Sequence, residues 1–197
     1  MTLRRTISQL YILAFGLVLF SCGGGSETYY PKPRGFFRID LPQQEYMLFD
    51  SAYPFSFKYP ACSHMETQES NDPSTIWFNI VYPGFHGSVN FSYKPVNGNL
   101  YELSEDAREF ANKHIAKANE IDEIRISNPA NRVFGIAYDI EGSNTASPYQ
   151  FYVTDSTSHY LRAAVYFDHL PNNDSIAPII QRVKVDMDTL LSSLKWK

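Results

Sequence analysis

The amino-acid sequence predicts an α+β fold in which an antiparallel β-sheet is flanked by helices. Short segments within residues 55–93 and 132–167 alternate apolar and polar side chains, which is the period of a half-exposed strand. Residues 100–118 and 176–194 instead return apolar side chains to one face every 3.6 residues, as amphipathic helices do. Tight connections between the strands favour antiparallel pairing, so we expect a sandwich of sheet and helices.

Most of the predicted strands end at proline or glycine, which seldom continue a central strand. Two of them form a predicted hairpin, because the connection between them contains two glycines. The last strand carries apolar side chains on both faces, so we expect it to be covered on both sides. The predicted strands comprise residues 36–41, 55–59, 76–82, 88–93, 132–141, 149–154 and 159–167.

The two helices have recognisable start signals. Asn99 with Glu102 could form a capping box for the first helix, with Ser104 as the alternative N-cap. In the second helix, Ser175 or Asp174 can cap the N-terminus, and we place Pro178 in the first turn. The predicted apolar stripes are Leu103, Ala107, Phe110, Ala111, His114, Ile115 and Ala118, then Ile176, Ile180, Val183, Met187, Leu190, Leu191 and Leu194.

The N-terminus predicts a lipoprotein signal peptide over residues 1–21. Arg4 and Arg5 precede an apolar run that ends at Phe20, shorter than the roughly 20 residues that cross a bilayer comfortably. The run leads into Leu-Phe-Ser-Cys-Gly at 19–23, which resembles a bacterial lipobox. We therefore predict lipid attachment at Cys22; the alternative is a plain secretory signal that happens to contain a cysteine. Acyl chains such as palmitate would anchor the mature chain to a membrane without spanning it.

A flexible tether and a Pro-rich arm, residues 22–35, precede a single α+β domain, residues 36–197. Prolines fix φ and keep the preceding residues extended, and exposed aromatic rings offer a large contact area, so this segment is built like a partner-binding peptide. The alternative is that it packs on its own domain. The partner-binding hypothesis names Tyr29, Tyr30, Pro31, Pro33, Arg34, Phe36 and Phe37.

Composition excludes several classes of function. The 197 residues are 44% hydrophobic, with 14 Tyr and 14 Phe, so the chain must bury a core and is not disordered as a whole. The formal net charge of -4 and the absence of a basic block make nucleic acid an unsuitable partner. Two cysteines exclude a Cys-based zinc cage, and we expect neither a metal nor another cofactor.

No arrangement of residues indicates catalysis, and we predict no catalytic residue. The five histidines lack metal-ligand spacing, and the chain has no Gly-x-Ser-x-Gly motif. Asp139 and Glu141 share a strand face where solvated side chains are expected. Cys62 is the remaining thiol, and a half-buried structural role is favoured because no basic residue lies near it in the sequence. Asp-Ser-Ala at 50–52 resembles a short O-glycosylation motif, with Ser51 as the acceptor.

Three segments carry a family resemblance. Residues 29–42 read Tyr-Tyr-Pro-Lys-Pro-Arg-Gly-Phe-Phe-Arg-Ile-Asp-Leu-Pro just after the lipobox, followed by Pro-Phe-Ser-Phe at 54–57 and Glu-Asp-Ala-Arg at 105–108. Together they resemble the GldD family of gliding motility-associated lipoproteins of the Bacteroidetes, over essentially the whole mature chain. The order of elements also resembles the Mog1/PsbP-like α/β/α fold, whose members mostly bind other proteins.

The resemblance implies a cell-envelope protein needed for gliding motility and the associated type IX secretion machinery, with no catalytic residues to transfer. Its partners would be other gliding and type IX secretion envelope proteins. We expect the domain to face the periplasm, because no acidic cluster follows Cys22; either membrane could hold the anchor. The alternative is a periplasmic small-ligand-binding module or enzyme that uses a pocket between sheet and helices. A third hypothesis is a chaperone-like carrier for another lipoprotein.

Overall fold

Alternating segments form two antiparallel sheets in the computed structural model, which describes residues 38–70 and 72–197. The larger sheet has seven strands in the order β3-β4-β5-β9-β8-β7-β6. The smaller has the order β1-β2-β10. The strands are β1 (Tyr46–Asp50), β2 (Phe55–Pro60), β3 (His64–Gln68), β4 (Ile76–Tyr82), β5 (Gly87–Pro95), β6 (Glu120–Asn128), β7 (Val133–Glu141), β8 (Tyr149–Thr154), β9 (His159–Phe167) and β10 (Lys195–Trp196).

Two α-helices lie on opposite faces of the larger sheet. Helix α1 (Leu100–Asn112) packs on the face that carries Tyr138 and Tyr160, and the Tyr160 hydroxyl donates to the carbonyl oxygen of Leu103 at 2.7 Å. Helix α2 (Asn173–Ser193) and the smaller sheet cover the other face. The predicted α+β class, an antiparallel sheet flanked by helices, is confirmed.

The main core lies between the larger sheet, the smaller sheet and α2. It is rich in aromatic rings, and Phe78 and Phe91 stack with their centroids 4.6 Å apart. Helix α2 contributes Met187 and Leu190, neither of which is exposed. Burial of such side chains contributes about 1.5–3 kcal/mol each relative to exposure, which makes α2 a major source of stability.

Most predicted strands are confirmed, and strands β1, β3 and β6, which the pattern did not predict, are mostly exposed. Strands β4, β8 and β9 match the predicted bounds, and β2, β5 and β7 match within a few residues. The strand predicted at 36–41 is wrong for its described part, since residues 38–41 form no strand. Strands β1, β3 and β6 were not predicted, because most of their side chains are exposed and show no clear alternation.

The first helix ends six residues before its predicted end. After Asn112 the backbone makes tight turns, in which the N–H of His114 and that of Ile115 bond to carbonyls three residues earlier. Ile115 is therefore 62% exposed instead of lying on the buried stripe. Asn99 is the N-cap, as predicted, but the capping box is wrong: the Asn99 side chain accepts from the backbone N–H of Asn97, and Ser104, the alternative N-cap, donates to the Tyr101 carbonyl.

The second helix carries its predicted stripe but starts earlier. It begins at Asn173, with Asn172 as the N-cap, so neither Ser175 nor Asp174 is the cap. Pro178 is the sixth helical residue, one turn later than predicted. The early start is stabilised by the Asn173 side-chain amide, which donates to the carbonyl oxygens of Gly142 and Thr145 at 2.8 and 3.0 Å.

Candidate functional site

A buried arginine holds the start of the described chain on the domain. Arg182 of α2 donates from Nη1 to the carbonyl oxygen of Pro42 at 2.6 Å and from Nη2 to that of Gln43 at 3.4 Å. Its side chain is only 5% exposed, so the guanidinium reaches these carbonyls from the interior. Because an arginine presents several donors in a rigid fork, it can hold two carbonyls while pairing with a carboxylate.

Asp186 provides that carboxylate one turn later on α2. Arg182 Nε lies 3.2 and 3.3 Å from its two oxygens, and the Asp186 side chain has no exposed surface. The Tyr46 hydroxyl donates to Asp186 at 2.8 Å, and the Tyr82 hydroxyl does so at 3.5 Å. These four residues, the Arg182 cluster, join α2 to β1 and β4. A buried ion pair is tolerated only when its remaining hydrogen-bonding groups also find partners, and here they do.

The surroundings of Tyr46 and Tyr82 keep both hydroxyls protonated, so that both donate hydrogen bonds to Asp186. Burial, reinforced by the Asp186 charge, raises the pKa of Tyr46 and of Tyr82 above the ordinary tyrosine value. Both hydroxyls therefore keep their protons at neutral pH and stabilise the buried carboxylate. The hydrogen bonds of the cluster thus join α2 to β1, to β4 and to the segment before β1.

A cavity of about 420 Å³ adjoins the Arg182 cluster, and Tyr82 contributes to its wall. Cys62 also lines it and is half-buried. Burial, followed by the Asp186 charge, raises the pKa of the Cys62 thiol, which lowers its thiolate fraction and its reactivity. The other lining residues are Asp40, Leu41, Pro42, Gly84 and Phe85.

A second cavity of about 420 Å³ lies between α1 and the larger sheet. Ser104 lines it from α1, Glu123 and Arg125 from β6, and Tyr152 from β8. This is the kind of space that the small-ligand alternative requires, because it combines an aromatic ring with a few polar groups.

The residues predicted to bear lipid or bind a partner lie outside the described residues. These are Cys22, Tyr29, Tyr30, Pro31, Pro33, Arg34, Phe36 and Phe37, together with the signal peptide 1–21 and the tether 22–35. The candidate glycosylation acceptor, Ser51, is exposed in the turn after β1, and its Oγ accepts the backbone N–H of Tyr53 at 3.2 Å. That position is accessible, and modification there stays a prediction.

Asp139 and Glu141, both expected to be solvated on one face of β7, have different surroundings in the structure. Asp139 is mostly buried and accepts two hydrogen bonds from Lys184 Nζ, at 2.6 and 2.7 Å. The expectation that Asp139 is solvated is wrong, because α2 covers this end of β7 and brings Lys184 to it. Glu141 is exposed as expected.

Two of the histidines are held by contacts with side chains that are not histidines. His64 pairs with Glu66 at 2.9 Å, and His159 Nδ1 lies 2.9 Å from the Tyr93 hydroxyl. His114 is half-buried after α1, and burial, with help from nearby cations, lowers its pKa. Across residues 38–70 and 72–197, no three His, Cys, Asp or Glu side chains lie together as metal ligands would.

Comparison with known families now adds to this geometry. A family model described as "Gliding motility lipoprotein GldD" matches residues 26–196, which is nearly the whole domain and its arm. The chain belongs to this family. It is therefore a lipoprotein of gliding motility, which implies a membrane anchor, as the sequence predicted. The match begins after Cys22, so the position of the lipid stays a prediction.

Curated proteins and solved structures provide two further comparisons. A search of curated proteins gave no match. Among solved structures, the chain is similar to the solution structure of cyanobacterial PsbP (CyanoP) from Synechocystis sp. PCC 6803. The identity is 11% and the TM-score 0.49, with 82% of this chain and 98% of that chain covered. In the part of the chain that the structure describes, no helix is long and apolar enough to cross a bilayer.

The Arg182 cluster was missed by the sequence reasoning. One signal was available: Asp186 lies three residues after Val183 and one before Met187, on the buried stripe of a clearly amphipathic helix. A carboxylate at such a position needs a partner, and Arg182 precedes it by four residues, which is one helical turn. The tyrosines could not be inferred, because they come from distant strands.

Proposed function

We propose that this family member is a non-enzymatic, lipid-anchored cell-envelope protein that helps to assemble or stabilise the type IX secretion machinery associated with gliding. Lipid at Cys22 anchors it, its domain faces the periplasm, and its partners are other envelope proteins of that machinery. The observation that carries the proposal is the Arg182 cluster. It fixes the segment at 40–43 to the centre of the domain, at the point where the chain continues towards the anchor.

This attachment suits a protein that must keep its position relative to a membrane. The segment at 40–43 forms no strand, so without Arg182 it would have few bonds to the domain. If the bonds from this guanidinium to two successive carbonyls were lost, its Nη1 and Nη2 donors would be left without these acceptors in the interior, which is costly. In this proposal, a pull on the segment from the anchor would reach α2 through the hydrogen bonds to Pro42 and Gln43.

The use of the ionisable side chains supports a non-enzymatic role. Arg182 and Asp186 neutralise each other in the interior, and Lys184 binds Asp139 at the edge of α2. Asp155 accepts three backbone N–H groups and one hydroxyl in the turn between β8 and β9. Each of these groups stabilises the fold at its position, whereas a catalytic acid or base needs a free, accessible proton site.

The proposal is tested by gene deletion and complementation in a gliding bacterium that carries this chain. We expect the deletion to abolish both colony spreading and secretion of type IX substrates, and the wild-type gene to restore both. Cys22→Ala should fail to restore either, whereas the matched control Cys62→Ala should restore both.

The outcomes separate the parts of the proposal. A deletion that stops spreading but leaves type IX secretion intact would refute the assembly role and keep the family-level function. A deletion with normal spreading and secretion would refute the proposal altogether. Replacing Tyr29, Tyr30, Phe36 and Phe37 together by serine tests the arm: loss of spreading at normal protein levels is expected if it binds a partner.

The alternative, a small-ligand site or enzyme, is favoured by the cavity between α1 and the larger sheet. Filling it with Ser104→Trp tests this function, with Asn79→Trp on the outer face of β4 as the matched control. Under our proposal, Ser104→Trp supports normal spreading provided that the protein accumulates. Loss of spreading with Ser104→Trp alone, at unchanged protein level, would favour the alternative.

A further inference from the structure

Within residues 38–70 and 72–197, strand β6 is an edge of the larger sheet with no further strand beside it. It is nine residues long and pairs with β7 on one side only. It contains no proline and no lysine, which are common devices that protect an edge from pairing with another chain. Half of the backbone N–H and C=O groups of such a strand point away from its neighbour and can bond a further strand.

The side chains of β6 are arranged so that the strand complements itself. Glu123 and Arg125 lie on the same face, two residues apart, with Ile124 between them on the opposite face. All three are exposed, and Ile124 has 49% of its surface accessible. Neither charge takes part in an ion pair within the described residues.

We propose that β6 pairs antiparallel with β6 of a second copy of this chain, with the two-fold axis at Ile124. In this register residue 123 of one copy lies opposite residue 125 of the other, so two Glu123–Arg125 pairs form symmetrically. The two Ile124 side chains meet on the other face and cover each other. The contact uses the same residues on both sides, as a two-fold interface requires, and it joins two seven-stranded sheets into one.

Other positions of the two-fold axis along β6 give less favourable contacts between the charged side chains. A two-fold axis at Glu123 would place the two glutamates opposite each other, and an axis at Arg125 would do the same with the two arginines. Like charges directly opposite destabilise an antiparallel pair. An axis at Ile126 would leave Glu123 and Arg125 facing uncharged residues or solvent. Charge complementarity therefore selects the Ile124 register and a second copy as the occupant.

Strand β3, at the opposite edge of the larger sheet, does not have charges that complement each other in a symmetric pair. Strand β3 has five residues, and its central residue is Glu66, which would face its own copy in a symmetric pair. Glu66 is also already paired with His64. Of the two edges of the larger sheet, β6 is therefore the one whose charges complement each other in a symmetric pair.

Disulfide cross-linking of the full lipidated chain in its host tests the register. In a Cys62→Ala background, Ile124→Cys places two thiols at the axis, where opposite Cα atoms are about 4.5–5.5 Å apart, within the range of a disulfide. We expect mild oxidation to give a band at twice the monomer mass. Glu120→Cys, on the same face of β6, is the matched control. It should give no cross-linked band, because in the proposed pair its two thiols would be eight residues or about 27 Å apart along the strands.

A second variant pair tests the charges. Glu123→Arg and Arg125→Glu should each reduce the cross-linking of Ile124→Cys at least tenfold, and the double reversal should restore it to within about threefold. These positions are exposed, so the single changes should leave the fold intact, which circular dichroism checks. Equal cross-linking of Ile124→Cys and Glu120→Cys, or none with either, would overturn the proposal. Capture of a different protein by Ile124→Cys would also overturn it and assign β6 to that partner.

Discussion

Arg182→Met is the change that most sharply tests the Arg182 cluster. The methionine keeps most of the volume of the arginine stem but removes the charge beside Asp186, whose side chain is fully buried. Only the two tyrosine hydroxyls would then partner the carboxylate. Leaving a buried charge without its counter-ion costs about 3–5 kcal/mol. The carbonyls of Pro42 and Gln43 can turn to water, so their loss adds little.

The assay is urea denaturation of the full chain in detergent, followed by circular dichroism and tryptophan fluorescence. We expect Arg182→Met to lower the free energy of unfolding by about 3–5 kcal/mol, a large share of the 5–15 kcal/mol typical of a domain. Hydrogen exchange at residues 43–48 should rise more than exchange in β8, since the segment loses its attachment to α2.

The double variant Arg182→Met with Asp186→Leu refines the test. Removing both charges should recover much of the loss and leave a deficit of about 1–3 kcal/mol, because the buried Tyr82 hydroxyl then lacks an acceptor. A single variant that costs less than 1 kcal/mol, or a double variant at least as unstable as the sum of the two single variants, would refute the reasoning.

Three further predictions concern other parts of the domain. Asp155→Asn should destabilise the turn between β8 and β9. Burial alone would raise the pKa of Asp155, but hydrogen bonds from the Thr157 side chain and three backbone N–H groups outweigh burial and lower the pKa. Asp155 therefore stabilises the fold above about pH 4, and this stabilisation is lost as the pH falls further. An unfolding free energy that has the same pH profile in wild type and variant would contradict this prediction. Gly135→Ala should lower the free energy of unfolding by about 1–3 kcal/mol, because a Cβ there would overlap the carbonyl oxygen of Tyr152. Gly84 has open space around it, so Gly84→Ala should leave the free energy of unfolding unchanged. Thermal denaturation of both variants measures the difference. Cys62 should react with iodoacetamide at pH 8 at least tenfold more slowly in the folded protein than in urea, and equal rates would show that its thiol is not shielded.

The sequence predicted those strands whose side chains alternate between core and solvent. Strands β2, β4 and β5 direct alternate apolar side chains into the core between the two sheets and α2, so their periodicity is strong, and proline or glycine marks their ends. Strand β6 carries five charged or amide side chains among nine residues and lies at an edge, where few positions are buried. Its strand character comes from pairing with β7, which periodicity alone does not reveal.

The limits of helix prediction have a similar origin. The 3.6-residue pattern runs on through Ile115 and Ala118, and no glycine or proline interrupts it, so the sequence gives no reason to stop α1 at Asn112. The chain turns there instead, and Asn119 donates its N–H to the carbonyl of Glu141 before β6 begins. The need to pair β6 with β7 outweighs continuation of the helix.

The candidate site was the least predictable part. Its lipid and arm residues were inferred from motifs, and the family match supports a lipoprotein of gliding motility. The Arg182 cluster depends on contacts between residues about 140 positions apart, such as Tyr46 with Asp186. No local pattern encodes such a contact, although a carboxylate on a buried helical stripe indicates that one must exist.

The most direct test of the proposed function is affinity purification from gently cross-linked host cells, comparing the wild-type chain with Cys22→Ala. The account predicts that the wild-type chain is recovered with gliding or type IX secretion components and that Cys22→Ala is recovered without them at a similar level. Recovery of the wild-type chain without any such component, under conditions that capture known envelope complexes of the same cells, would contradict it.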